Sequence, residues 1–144
     1  CRAAAHWGLW GETSGAFTAA RQGVARKVRD HATVAVLIDE RYDGGGGHRI
    51  LGRLHTEAPR IPLVTGWVDR DLAVTSLERA AALAPTEPLN RLYLADALRR
   101  FRPQRRGEAM ALIEALIAGL PRPSFALEDE TTLAEARRLL EQLR

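Results

Sequence analysis

Apolar residues recur along this chain at intervals of three and four, the period of a helix with one buried face. The clearest stripe is Ala109, Leu112, Ile113, Leu116, Ile117 and Leu120. Ala73, Leu77, Ala80, Ala81 and Ala84 repeat it with smaller side chains, which predicts a close helix–helix approach. Val24, Val28, Ala32, Ala35 and Val36 give another stripe, and Leu94, Leu98 and Phe101 a further one that starts near Pro88. Ile50, Leu51 and Leu54 predict a short helix after a run of glycines. Leu133, Ala136, Leu139, Leu140 and Leu143 predict a final amphipathic helix, with Thr132 and Glu135 at capping-box spacing. Strict alternation is nowhere long enough to predict a strand. The expected class is all-α.

Breakers cut these helices into pairs. Gly8, Gly11 and Gly15 loosen the first segment, and Asp43 followed by Gly44 to Gly47 is a hard punctuation mark. A long apolar loop runs from Ala58 to Gly66, and Pro85, Pro88, Pro103, Pro121 and Pro123 close the later helices. Short connections demand antiparallel neighbours. A helix carries a Leu-small pair twice, as Leu51-Gly52 and as Leu94-Ala95, at a spacing longer than the roughly 34 residues of a tetratricopeptide unit. The inserted loop at 58–66 accounts for the excess. The expected architecture is one domain over 1–144, a tetratricopeptide-like right-handed stack of about six or seven antiparallel helices. Its parts are a first helical segment at 1–42, a repeat with an inserted loop at 43–85, a helix pair at 86–120 and a C-terminal helix at 121–144.

Composition narrows the function classes more than it selects among them. The chain has 144 residues, 46% apolar and 27% charged, a globular balance that excludes disorder. One cysteine excludes an internal disulfide framework and an all-cysteine zinc site. The formal charge is only +3, and every basic residue but Lys27 is arginine, which reads as a high-GC bacterial genome rather than a nucleic-acid footprint. Cys1 is followed by Ala3-Ala4-Ala5-His6-Trp7 instead of a flexible polar tether. The expectation is therefore a fragment of a longer protein, with the lipidated first residue of a lipoprotein as the rival reading.

The string Tyr42-Asp43-Gly44-Gly45-Gly46-Gly47-His48-Arg49-Ile50-Leu51-Gly52-Arg53-Leu54 is a glycine-rich turn entering a helix with a Leu-Gly pair. Ala58-Pro59, the apolar loop, Gly66-Trp67-Val68-Asp69-Arg70-Asp71-Leu72-Ala73 and a helix ending Leu83-Ala84-Pro85 follow it, and Ala4-Ala5-His6-Trp7-Gly8 precedes it. Together they resemble the T component associated with tripartite ATP-independent periplasmic (TRAP) transporters, the TatT-like tetratricopeptide proteins. The resemblance spans roughly residues 1 to 120 and is most specific over 42 to 73; nothing from Pro121 onward shares it. It implies a non-catalytic periplasmic helical-repeat protein, often a lipoprotein, that binds a protein partner such as a solute-binding component. It also implies helices upstream of Cys1, a capacity for homo-oligomers, and membrane association only through such an upstream anchor. The alternatives are a structural subunit or scaffold of a larger assembly, a carrier of a small apolar ligand, and a cytoplasmic location.

Candidate chemistry is sparse. The four glycines lack the Gly-Lys-Ser/Thr ending and preceding strand of a phosphate loop. His48 and His55, seven apart, share a helix face near Glu57 but lack zinc-helix spacing and a third ligand, so neither a metal nor another cofactor is expected. The serines sit in no nucleophile context, so no catalytic residue is assigned. Arg99, Arg100, Arg102, Arg105 and Arg106 read as a solvated helix end, with no nucleic-acid partner. The carboxylates Glu128, Asp129 and Glu130 are expected just before the last helix. The unusual features converge on one stretch: Gly44, Gly45, Gly46, Gly47 and His48, then Ile61, Leu63, Val64 and Trp67. That stretch is the expected partner- or ligand-binding site, a long apolar loop ending on a tryptophan anchor.

Overall fold

A computed structural model of the chain describes residues 23–60 and 65–144. Six α-helices occupy most of them: α1 Val24–Ile38, α2 Tyr42–Glu57, α3 Arg70–Leu83, α4 Pro88–Phe101, α5 Arg106–Gly119 and α6 Ala126–Leu143. Short 3₁₀ turns at Pro103–Arg105 and Pro123–Phe125 lead into α5 and α6. There is no strand among the described residues, as the apolar spacing predicts. The helices form two compact units that divide at Ala84 and Pro85. The expected segments before Gly23, with Cys1, Gly8, Gly11 and Gly15, lie outside the described residues.

In the first unit α2 runs antiparallel to both its neighbours. Ile50 and Leu54 pack against Val28 and Val24 of α1, while Gly47, earlier on α2, faces Ala32 and Val36, later on α1. On the other side Gly45 abuts Ala80 of α3 and Gly52 abuts Ala73 and Leu77. Small residues are required on both faces. A Cβ on Gly47 would stand 2.7 Å from a Val36 methyl, and one on Gly45 would stand 3.1 Å from the Ala80 Cα. The close approach expected of the alanine-rich stripe is therefore real, and glycines on α2 complete it.

The glycine run differs from the expected simple break. Asp43, Gly44 and Gly45 are left-handed, with φ of 53°, 59° and 78°. Right-handed helix then begins at Gly46, two glycines earlier than the predicted short helix. Positive φ explains glycine at 44 and 45. Asp43, the one described non-glycine residue there, is held by Arg49, whose Nη2 donates to its carboxylate at 2.7 Å. Across the α2–α3 connection the Thr65 hydroxyl donates to the Pro59 carbonyl. Asp69 then caps α3, its Oδ1 accepting the backbone N–H groups of Asp71 at 2.7 Å and Leu72 at 3.1 Å.

The second unit is an antiparallel trio. Arg91, near the start of α4, donates to the Ala115 carbonyl near the end of α5. Arg106 opens α5 and donates to the Leu143 and Arg144 carbonyls at the end of α6. Pro88 takes the first turn of α4, and Ala109, Ile113 and Leu116 are the buried face of α5. The last helix departs from expectation. It starts at Ala126, so Glu128 and Asp129 lie in its first turn and Thr132 is interior, bonded to the Glu128 carbonyl at 3.1 Å. The Asp129 carboxylate, 1% exposed, accepts both the backbone N–H of Arg122 at 2.6 Å and its guanidinium at 2.7 Å. That pairing anchors the chain ahead of Pro123, and a capping box at Thr132 has no end left to cap.

Candidate functional site

The polar and aromatic groups of the first unit gather at two places along α2. At its N-terminal end Glu40, in the α1–α2 link, receives both arms of Arg79 from α3 and stands 3.4 Å from Nε2 of His48. The Arg79 hydrogen bond holds the Glu40 carboxyl below the usual range, against a smaller opposing effect of desolvation. The same contact raises the Arg79 guanidinium. This partly exposed cluster ties α3 to the link that enters α2.

Two turns further on, α2 presents His55, 2% exposed. Its Nδ1 accepts the backbone N–H of Asp69 at 3.0 Å. Its ring stands perpendicular to that of Trp67, at 5.4 Å between centroids and 88°, and the Arg29 guanidinium of α1 lies 4.7 Å from the Trp67 ring centroid. Trp67 is half-buried, and its Nε1 has no hydrogen-bond partner among the described residues. Burial lowers the His55 pKa; the Asp69 carboxylate pulls it upward and Arg29 adds to the lowering. The ring is therefore the neutral imidazole, with its proton on Nε2.

The residues expected to form one binding stretch fall in different settings. Gly45, Gly46 and Gly47 are buried in contacts of α2 with its own chain, and Gly44 is half-buried in the left-handed turn. His48 belongs with Glu40, and Trp67 belongs with His55 and Arg29. Ile61, Leu63 and Val64 lie outside the described residues. His48 and His55 do share α2, but their ring nitrogens serve different partners, Glu40 and the Asp69 amide.

The arginine run is not a free basic surface. Arg99 and Arg100 both pair with Asp96 at 2.9 Å, and Arg105 pairs with Glu108 at 2.7 Å. Arg106 is spent on helix C-terminal carbonyls.

Sequence reading missed two groups. Arg29 and Asp69 gave no signal as partners of Trp67 and His55, because only the chain's return path brings them together. The other missed feature is a row of exposed apolar side chains at the end of α1: Val34, Leu37 and Ile38, with Tyr42 opening α2. Leu37 and Ile38 are 79% and 80% exposed. Among the described residues no single helix is long and apolar enough to cross a membrane. Comparison with family models, with curated proteins and with solved structures returns no match.

Proposed function

We propose that this chain is a non-catalytic helical-repeat protein that binds a protein partner, built as a tetratricopeptide-like right-handed stack. The observation that carries the reading is the exposed row at the end of α1. Val34, Leu37 and Ile38 stand at i, i+3 and i+4, so they share one face of the last turns of α1, beyond the buried Val24, Val28 and Ala32. Single exposed apolar residues are ordinary, but neighbouring ones on one helix face mark an interaction surface. The row ends beside Glu40 and Arg79, which supply a charged rim to an apolar centre. The resemblance of residues 42 to 73 to the TRAP T component supports a periplasmic setting and a solute-binding component as the partner.

The test is the double substitution Leu37→Ser with Ile38→Ser, measured against the TRAP solute-binding protein of the same genome by calorimetry. Loss of two central anchors should weaken binding at least about tenfold. The melting temperature should stay within about 2 °C, because neither side chain is core. Equal binding by variant and parent rejects the surface. Failure of the parent to bind, with both proteins folded, rejects the transporter partner. Sedimentation of the parent alone distinguishes a further outcome, pairing of the row with a second copy of the chain.

A further inference from the structure

We propose that His55 is a pH-operated latch on the start of α3: as the neutral ring it holds the Asp69 amide, and on protonation it releases the Thr65–Asp69 turn. The geometry leaves the ring no other way to keep the contact. Nδ1 accepts from a backbone N–H at 3.0 Å, and a protonated nitrogen is a donor only. Two N–H groups would then face each other at a buried position. The contact sits at a sensitive point. Asp69 is both the side-chain cap of α3 and, through its carbonyl, the acceptor of the first helical bond from Ala73 at 3.1 Å. One residue earlier, the Val68 amide closes the Thr65 turn at 3.0 Å.

The charged groups around the ring set the direction. From α1, Arg29 lies over Trp67, whose ring packs perpendicular to the imidazole, so a second cation there is unfavourable. From the α3 side, the Asp69 carboxylate favours an imidazolium, but its Oδ1 is already engaged by the Asp71 and Leu72 amides. On α2 itself Arg53 and Glu57 pair with each other at 2.9 Å. Burial with Arg29 outweighs Asp69, in agreement with the lowered pKa of the ring. The sign follows. Below the ordinary imidazole value of about 6.5, the opened turn binds a proton that the closed turn refuses, so opening is favoured by up to about tenfold per pH unit. Above that value the latch is fully closed.

Amide hydrogen exchange followed by NMR on the full chain tests this between pH 7.5 and 5. After correction for intrinsic exchange, the Asp69 protection factor should fall by up to about tenfold per unit below the ordinary value, with amides in α4 to α6 unchanged. The His55 ring resonances should titrate below the ordinary imidazole value. His55→Asn keeps an acceptor near the Nδ1 position and cannot titrate, so its Asp69 protection should be flat with pH. Protection in the parent that does not change with pH overturns the proposal, as does an equal fall in His55→Asn. Should the variant fail to fold, a His55 ring that titrates at or above the ordinary value overturns it alone.

Discussion

Gly52→Ala is expected to destabilise the protein by about 2 kcal/mol, whereas the same change at Gly107 should stabilise it by about 0.5 kcal/mol. Both glycines lie within helices, so alanine brings each a helix-propensity gain of at most about 1 kcal/mol. Space decides the sign. Nothing lies within 4 Å of a Cβ built on Gly107. A Cβ on Gly52 overlaps the Cγ of Leu77 and stands 3.0 Å from the Ala73 carbonyl oxygen. Neither neighbour can yield cheaply, because one is the branch point of a fully buried leucine and the other is backbone. The helices α2 and α3 must separate, and that loosens the Gly45–Ala80 contact as well. Overpacking at the upper end, about 3 kcal/mol, less the propensity gain leaves the expected net loss. Urea unfolding measures it as a shift in midpoint at constant slope. A Gly52→Ala midpoint at or above the parent's would show that α2 and α3 are not in this close contact.

These glycines also show how far the chain could be read without its fold. Helical faces were legible because they depend only on local period: Ala109, Ile113 and Leu116 are buried as their spacing requires. Pro88 marks a helix start, and the glycine run does contain the left-handed residues that breakers signal. What the glycines touch was not legible. A residue with no side chain carries no record of its partner, and Gly47 and Gly52 face different helices. His55 had the same appearance as His48, one face and one helix, until the return of the chain set the Asp69 amide against it. The last helix misled for a different reason. Phe125 at its N-cap offers no side-chain cap, so local rules favoured Thr132, while the helix starts earlier, with the buried Asp129 carboxylate in its first turn paired to Arg122. At the candidate site the same ambiguity holds. Glycine and tryptophan content flagged residues 44 to 67 as unusual, but the same content serves packing between α1, α2 and α3. Leu37 and Ile38 were legible as a helix end but not as a surface, because an apolar helix end reads the same whether covered or bare.

Leu77→Ala should cost about 2–5 kcal/mol on its own, and adding Gly52→Ala should recover part of that loss instead of deepening it. Leu77 is fully buried on α3, so truncation removes its transfer free energy and leaves a cavity. That cavity opens where a Gly52 methyl would otherwise collide, since the nearest atoms to such a methyl are Cγ and Cδ2 of Leu77. In the double variant the added methyl occupies space that Cγ and Cδ2 of Leu77 have vacated, and the 3.0 Å approach to the Ala73 carbonyl remains as a residual cost. The helix-propensity gain of alanine at 52 then offsets part of that residual cost. The coupling in the double-mutant cycle should therefore be favourable by about 1–3 kcal/mol, far outside the few tenths expected of independent sites. A control cycle between Gly52→Ala and Ile113→Ala, which lie in different compact units, should show additivity. If the Gly52 and Leu77 substitutions also add, the two residues do not share one packing site, and the α2–α3 interface is built on other contacts.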